Sequence, residues 1–409
     1  MKADLISFEQ AVVAVLAQGR PLAQEGVPLA EAHGRILALT VAAPFDVPRD
    51  SASLMDGYAV RASALVPGAS LRVAFDVPAG KVAPRPLAVG ECARILTGAP
   101  LPSGSDAVVK QEDVVRDGGL VRFPGRVHAG EHVRSAGSDA RSGQALLNAG
   151  SWIDAGALSL AASVGMTELQ VIRRPTVAIL ATGDELRLPG TPLSHGTIYE
   201  SNSVGMAAQA REAGAAPVVL ATAPDNADAI ADRFEGVKAD VFVTSGGASV
   251  GDFDFARDVL ERLGGRLIFW QVAIRPGKPI LFGAIERRST RSTLFFALPG
   301  NPAASALTFD LLIRPVLRAM TGARPARRQR VKAKLESELK KPEGLTCFVR
   351  GTLVADGGTL LFRPAALQGS MSIASLHGLG GVAVVPPEVS WVAAGAMVDV
   401  EPWQPLGAE

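Results

Sequence analysis

The chain has 409 residues, 41 basic against 40 acidic side chains and a net charge of +1, without the basic excess of an electrostatic nucleic-acid binder. Apolar residues make up 48%, enough for sizeable cores and against wholesale disorder, and at roughly 100–200 residues per domain the length implies two to four domains. Cys92 and Cys347 are too few and too far apart for a disulfide framework or a cysteine zinc site.

In chain order, residues 1–40 read as a helix, a turn at Gly19-Arg20-Pro21 and a second helix through Ala30-Glu31-Ala32. Asp4, Glu9 and Gln10 interrupt the first apolar run, so an amphipathic helix carrying Ile6, Val13 and Leu16 is expected rather than a signal peptide. No 18 consecutive apolar residues occur, so no membrane span and a cytoplasmic location are expected. From about 45 to 140, short apolar runs at 71–75, 92–96 and 120–123 alternate with Pro, Gly and Asp, an all-β texture. Residues 153–165 return to helix, with Asp154 near its front.

From residue 176 strands alternate with helices. Strands are predicted at 176–181, 218–222, 241–244 and 294–298, and helices at 203–213, 227–235, 255–263 and 303–320. That alternation means a parallel sheet with helices on both faces, whose ligands sit beyond the carboxyl ends of the strands. The basic run 324–330 reads as a linker or solvated surface. Residues 331–409 revert to β texture.

Common sites are missing. Gly246–Gly251 has P-loop glycine spacing, but Asp252 follows where Lys is required. No dinucleotide fingerprint follows a strand, and neither a nucleophile elbow nor a zincin motif occurs. His128 and His132 have helical zinc spacing, yet Gly130 and the β texture argue against a helix there.

The remaining motifs fall at predicted strand ends. In Ala181-Thr182-Gly183-Asp184-Glu185-Leu186, a glycine and two carboxylates can hold a hydrated divalent cation, or simply form a solvated, capped turn. In Thr244-Ser245-Gly246-Gly247-Ala248-Ser249-Val250-Gly251-Asp252-Phe253-Asp254, small residues let backbone N–H groups approach phosphate, with Asp252 and Asp254 behind. Arg275-Pro276-Gly277-Lys278-Pro279 presents two cations on a stiffened backbone. Leu298-Pro299-Gly300-Asn301-Pro302 runs into a helix whose positive end is expected to face the ligand. Phosphate loops, paired acids and cations on one sheet edge point to a phosphorylated ligand with a divalent metal.

These four segments, together with Met55-Asp56-Gly57-Tyr58, Leu96-Thr97-Gly98-Ala99-Pro100 and Val133-Arg134-Ser135-Ala136-Gly137-Ser138-Asp139, resemble the molybdopterin molybdenumtransferases, the MoeA-type family related to the C-terminal half of gephyrin. The resemblance runs in family order over nearly the whole chain. It implies a multidomain α/β plus β fold: a helical linking domain from 1–45 with 141–175, a β domain at 46–140, a MogA-like α/β domain at 176–326, and a C-terminal β domain at 327–409. It implies insertion of molybdenum from molybdate into adenylylated molybdopterin, releasing molybdenum cofactor and AMP with Mg2+. Other readings are a molybdopterin adenylyltransferase or a non-enzymatic pterin-binding scaffold, and tungstate resembles molybdate in size and charge.

Carried over by position, the resemblance implies Asp56, Thr97, Glu185, Asp225 and Asp254 as catalytic residues, with Glu185 and Asp254 holding metal directly or through water. It implies Arg134, Asp139, Ser245, Gly246, Gly247, Ser249, Arg275, Lys278, Pro299, Asn301, Pro302 and Ser370 as substrate and anion contacts. Against these stand plainer roles: an Asp-Gly turn for Asp56, a helix cap for Asp225, a surface ion pair for Arg134. A homodimer is implied, its cleft pairing one subunit's β domain with the other's α/β domain. A molybdopterin-adenylylating enzyme upstream and molybdoenzyme apoproteins downstream are the implied partners, with no nucleic acid. Two departures stand out: Ser51-Ala52-Ser53-Leu54 replaces Asp-Asn-Ser-Ala of many relatives, and Gln271 stands where relatives often carry Lys.

Overall fold

The computed structural model describes residues 5–246, 253–286 and 291–404, without the side chains of 253 and 254. Two compact units form: residues 26–33 with 37–170, and residues 1–25 and 34–36 with 171–409.

Helix α1, Phe8–Leu16, starts at a capping box in which Ser7 Oγ accepts from the Gln10 N–H and the Gln10 side chain accepts from the Ser7 N–H. Its inner face is Phe8, Ala11, Val12 and Val15, and Val13 is exposed. Phe8, the bulkiest apolar residue, sets that face, one position away from the expected one. The expected second helix is a single turn, Leu29–Ala32, because Gln24–Pro28 is extended up to the proline.

In the unit built on 37–170, strands β1 (Gly57–Val60), β2 (Ala69–Val77), β3 (Glu91–Ile95), β4 (Ala107–Lys110), β5 (Val115–Asp117) and β6 (Leu120–Phe123) form one sheet ordered β4-β1-β3-β2-β6-β5. Tyr58, Val60, Cys92, Val109 and Phe123 pack on one face, and Ala59, Val77, Ala93, Ile95 and Val108 on the other. Burial of both faces explains why these strands read as apolar runs rather than as strict alternation. Helix α2 (Ala155–Ser163) is capped by Asp154, which accepts from the Ala157 N–H at 2.8 Å, as the sequence predicts.

The other unit holds β7 (Thr176–Ala181), β8 (Leu186–Arg187), β9 (Ile198–Tyr199), α3 (Asn202–Glu212), β10 (Ala216–Val219), α4 (Ala227–Phe234), β11 (Val241–Ser245), α5 (Phe253–Arg262), β12 (Gly265–Trp270), β13 (Ile274–Arg275), β14 (Leu281–Ile285) and β15 (Thr293–Leu298). Its main sheet is ordered β10-β7-β11-β15-β14-β12. The first four strands are parallel, and β14 and β12 extend the sheet antiparallel. The parallel part is the predicted architecture. The antiparallel edge was not foreseen, and β10 lies two residues earlier than expected. Core residues on the two sheet faces include Phe282 stacked on Phe296 at 4.5 Å and Phe234 on Phe242 at 4.3 Å.

The long helix expected at 303–320 is interrupted: α6 (Pro302–Thr308), a π-helical turn (Phe309–Ile313) and α7 (Arg314–Met320). Strands β16 (Val331–Leu335), β17 (Thr346–Asp356), β18 (Thr359–Pro364), β19 (Gly381–Val385) and β20 (Met397–Pro402) close as the ring β17-β18-β16-β20-β19-β17, joined by β13 at β17. Closure leaves these five strands without a free edge.

The basic run 324–330 joins α7 to β16 without helix or strand, as expected of a linker, but three of its arginines are held in ion pairs rather than merely solvated. Arg327 pairs with Glu9 at 2.8 Å, Arg328 with Asp310 at 2.9 Å and Arg330 with Glu401 at 2.9 Å. Arg328 also donates to the Pro402 carbonyl at 2.9 Å. The three carboxylate partners are far apart in sequence, so a charge count along the chain does not reveal the pairing.

Candidate active site

In the parallel sheet, β10 lies on one side of β7 and β11 on the other, so connections reverse direction at the carboxyl end of β7, where open α/β sheets form ligand crevices. A cleft of about 460 Å³ sits there, lined by Thr182, Glu185, Asn202, Asp225, Ser245, Gly246, Pro299, Gly300, Asn301 and Pro302 among others. The structure thus gathers seven of the predicted site residues from segments 120 residues apart.

Three chain turns build the floor. The Thr182 N–H donates to the Ser245 carbonyl at 2.9 Å, and the Gly246 N–H donates to the Leu298 carbonyl at 3.2 Å. Gly246 has φ 111°, and a Cβ there would lie 2.5 Å from the Thr182 carbonyl oxygen and hydroxyl. Only glycine permits both that conformation and that approach. The Thr182 hydroxyl is buried without a hydrogen-bond partner among the described residues, a polar group poised for something bound in the cleft.

Glu185 and Asp225 are exposed at the cleft. Asn226, not Asp225, caps α4, accepting from the Ala229 N–H at 3.1 Å, so the capping role falls to its neighbour. Asp254 is the second residue of α5, its side chain outside the described residues; Gly247, Ser249 and Asp252 lie outside them altogether. The N-terminus of α6 differs from expectation. Its Ala303 and Ala304 N–H groups donate to the Ser370 carbonyl at 3.0 and 3.4 Å, so they are not available to a ligand. Ser370 Oγ in turn accepts from Asn301 Nδ2 at 3.1 Å.

Arg275 and Lys278 are exposed and make no hydrogen bond or ion pair among the described residues beyond backbone contacts. Gly277 between them has φ 100°, and a Cβ there would lie 2.3 Å from Thr308, so glycine is required at the turn. Arg275 also lines a cavity of about 320 Å³ with Lys340, Lys341, Gln368 and Gly369.

Arg350 was missed. It is 0% exposed on β17, opposite Val382 and on the strand face shared with Phe348 rather than the ring-core face of Val349 and Leu353. Its Nη2 donates to the Leu367 and Gly369 carbonyls at 3.2 and 3.0 Å, but Nε and Nη1 have no partner among the described residues. Burial lowers its pKa. The available signal was an arginine inside the apolar run Cys347-Phe348-Val349-Arg350.

The unit built on 37–170 brings together its own predicted residues in pairs. Asp56 Oδ1 accepts from the Thr97 N–H at 2.7 Å and hydroxyl at 2.8 Å, and these bonds hold the Asp56 pKa below its ordinary value. Arg134 pairs with Asp139 at 2.6 Å, both about half exposed. Before Met55, Ser53 is 2% exposed and its hydroxyl donates to the Met55 carbonyl at 2.6 Å, so serine alone closes this turn. Gln271 has φ 64° and is absent from the residues lining either cavity near the cations.

Among the described residues no group of three or more His, Cys, Asp or Glu is arranged to hold a metal ion. Two cleft carboxylates suit Mg2+ instead, which keeps several waters and takes one or two carboxylates plus phosphate oxygens.

Residues 6–165 match the family model described as the MoeA N-terminal region (domain I and II), 178–319 a probable molybdopterin binding domain, and 332–403 the MoeA C-terminal region (domain IV). The chain is 38% identical to molybdopterin molybdenumtransferase 2 of Mycobacterium tuberculosis, over 97% of this chain and 98% of that one. It is 36% identical to the molybdopterin molybdenumtransferase of Synechococcus elongatus, over 97% and 99%. The crystal structure of the molybdopterin biosynthesis MoeA protein from Pyrococcus horikosii superposes with a TM-score of 0.86 at 30% identity, over 98% of this chain and 100% of that one. With its parallel-sheet cleft, its closed β ring and full-length relatives at this identity, the chain belongs to the MoeA family of molybdopterin molybdenumtransferases.

Proposed function

We propose that the chain is a molybdopterin molybdenumtransferase that uses this cleft to insert molybdenum from molybdate into adenylylated molybdopterin, with release of AMP. The carrying observation is the meeting of Glu185, Asp225, Gly246 and Asn301 around one crevice at the sheet's switch point. A pyrophosphate link needs its charge neutralised and its phosphorus polarised. Mg2+, held through water or directly by Glu185 and Asp254, with Asp225 at the same cleft as Glu185, would supply that as a Lewis acid.

The protein's own groups do the rest. The small-residue turns at Ser245–Gly246 and Pro299–Asn301 let phosphate oxygens come close to the cleft floor, where the unpartnered Thr182 hydroxyl can donate to them. The unpaired cations Arg275 and Lys278 suit molybdate, and so do the two unfilled donors of buried Arg350, because an oxyanion repays desolvation only where donors wait for it. Asp56 with Thr97 and Arg134 with Asp139 are the functional pairs proposed for the β domain, in a homodimer. A cytoplasmic location follows the same reading, with an adenylylating enzyme upstream and molybdoenzyme apoproteins downstream. No described helix is long and apolar enough to cross a membrane.

The test incubates the protein with molybdopterin and ATP in one arm, and with adenylylated molybdopterin and molybdate in the other. Cofactor and AMP only in the second arm support the transferase. Adenylylated molybdopterin accumulating in the first arm would identify an adenylyltransferase instead.

A further inference from the structure

Asn202, the first residue of α3, belongs to none of the groups singled out by the sequence. Its side-chain amide nitrogen donates to Ser245 Oγ and to the Gly300 carbonyl, both at 2.7 Å. Those acceptors sit on two different segments of the cleft floor, one at the last residue of β11 and one just after β15. Ser245 is 2% exposed, and its hydroxyl lies 3.4 Å from that of Ser305, itself 1% exposed. The Ser305 hydroxyl donates to Met206 Sδ at 3.6 Å. A polar chain thus runs from the Gly300 carbonyl through Asn202 and Ser245 to the start of α6.

A primary amide suits this place because its two N–H bonds point in different directions, one to each turn. A serine hydroxyl has one proton and would hold one turn only. An aspartate would set a carboxylate against the Gly300 carbonyl. The turns approach closely here, a Cβ on Gly300 lying 3.5 Å from Gly246 Cα, so their separation depends on what ties them.

We propose that Asn202 is a positioning residue: by bridging the Ser245–Gly246 and Pro299–Asn301 turns it fixes their spacing to fit the phosphate groups of the substrate. This rests on the function proposed above. Catalysis gains from donors already in place, since a misplacement of about 1 Å can cost on the order of a hundredfold in rate.

Asn202→Ala, Asn202→Asp and Asn202→Ser separate this role from simple stability. The full chain is titrated with inorganic pyrophosphate by calorimetry, assayed for AMP release, melted, and followed by amide hydrogen exchange. The Ala and Asp variants should melt close to wild type yet bind pyrophosphate on the order of tenfold more weakly, the scale of one or two neutral hydrogen bonds. They should raise KM for the adenylylated substrate, with Ser intermediate, and exchange should quicken at the amides of Gly246, Gly300 and Asn301. Unchanged pyrophosphate affinity and KM in Asn202→Ala would overturn the proposal, as would losses that merely track the folded fraction. Wild-type protein that neither binds pyrophosphate nor releases AMP would overturn the proposed function as well.

Discussion

Glu185 stands exposed at the cleft, where a carboxylate can take up a hydrated cation without the desolvation cost of burial. Glu185→Ala should therefore lower turnover by at least tenfold while leaving the melting temperature within about 2 °C, as expected for surface substitutions. Activity assays beside thermal melts check this, and full wild-type turnover in excess chelator would remove the metal role. The site was legible at this scale wherever function needs a local pattern. Gly246, Asn301 and Glu185 announced themselves as glycine turns and acids after strands. Arg350 did not, because an arginine's value there lies in which of its donors the fold leaves unfilled. Nor did Asn202, whose two acceptors are 43 and 98 residues away.

Among the elements, charge pairs fasten the strands and the interrupted helix. Glu91 on β3 is 8% exposed, accepts from Arg85 at 2.7 and 3.0 Å and also binds Arg72 and the Ala88 N–H. The Arg85 guanidinium, the Ala88 N–H and nearby Arg72 hold its pKa at about 2 against an ordinary 4.5. A depressed carboxylate stabilises the fold above its unfolded pKa and loses that contribution as pH falls toward the folded value. The stability difference between wild type and Glu91→Gln should accordingly be full above pH 4.5 and shrink as pH falls toward about 2. Denaturant titrations across that range test it, and a difference constant with pH would contradict the assignment. Asp310, 3% exposed in the π-helical turn, faces Arg328 and, at 3.8 Å, Arg314. Asp310→Ala leaves two arginines without their carboxylate and should cost about 3–5 kcal/mol, measured by urea unfolding. A loss below 1 kcal/mol would mean that the pairs are incidental. Helix and strand periodicity placed β7, β11, β15 and α2 closely. The π turn and the antiparallel edge escaped because backbone register and strand direction leave no mark in hydropathy.

At the scale of the whole molecule we propose a homodimer. Asp56 and Glu185 belong to different units of the chain, so each can be changed without touching the other's surroundings. Asp56→Ala and Glu185→Ala proteins, each inactive alone, should regain about half the wild-type activity per mixed dimer if one chain's Asp56 serves the other's Glu185, since one of two symmetric clefts is then intact. A mixture still inactive after verified subunit exchange would contradict that sharing. The α/β character of the segment from 176 and the β character of those at 45–140 and 331–402 were legible from composition and punctuation. Closure of the C-terminal strands was not, because it depends on β17 pairing with both β18 and β19. The most direct measurement of the central claim is a single-turnover reaction of the purified protein with adenylylated molybdopterin and molybdate. The account predicts AMP and molybdenum cofactor in equal amounts, dependent on both molybdate and Mg2+. AMP formation at the same rate without molybdate, or no AMP at all from folded protein, would contradict it.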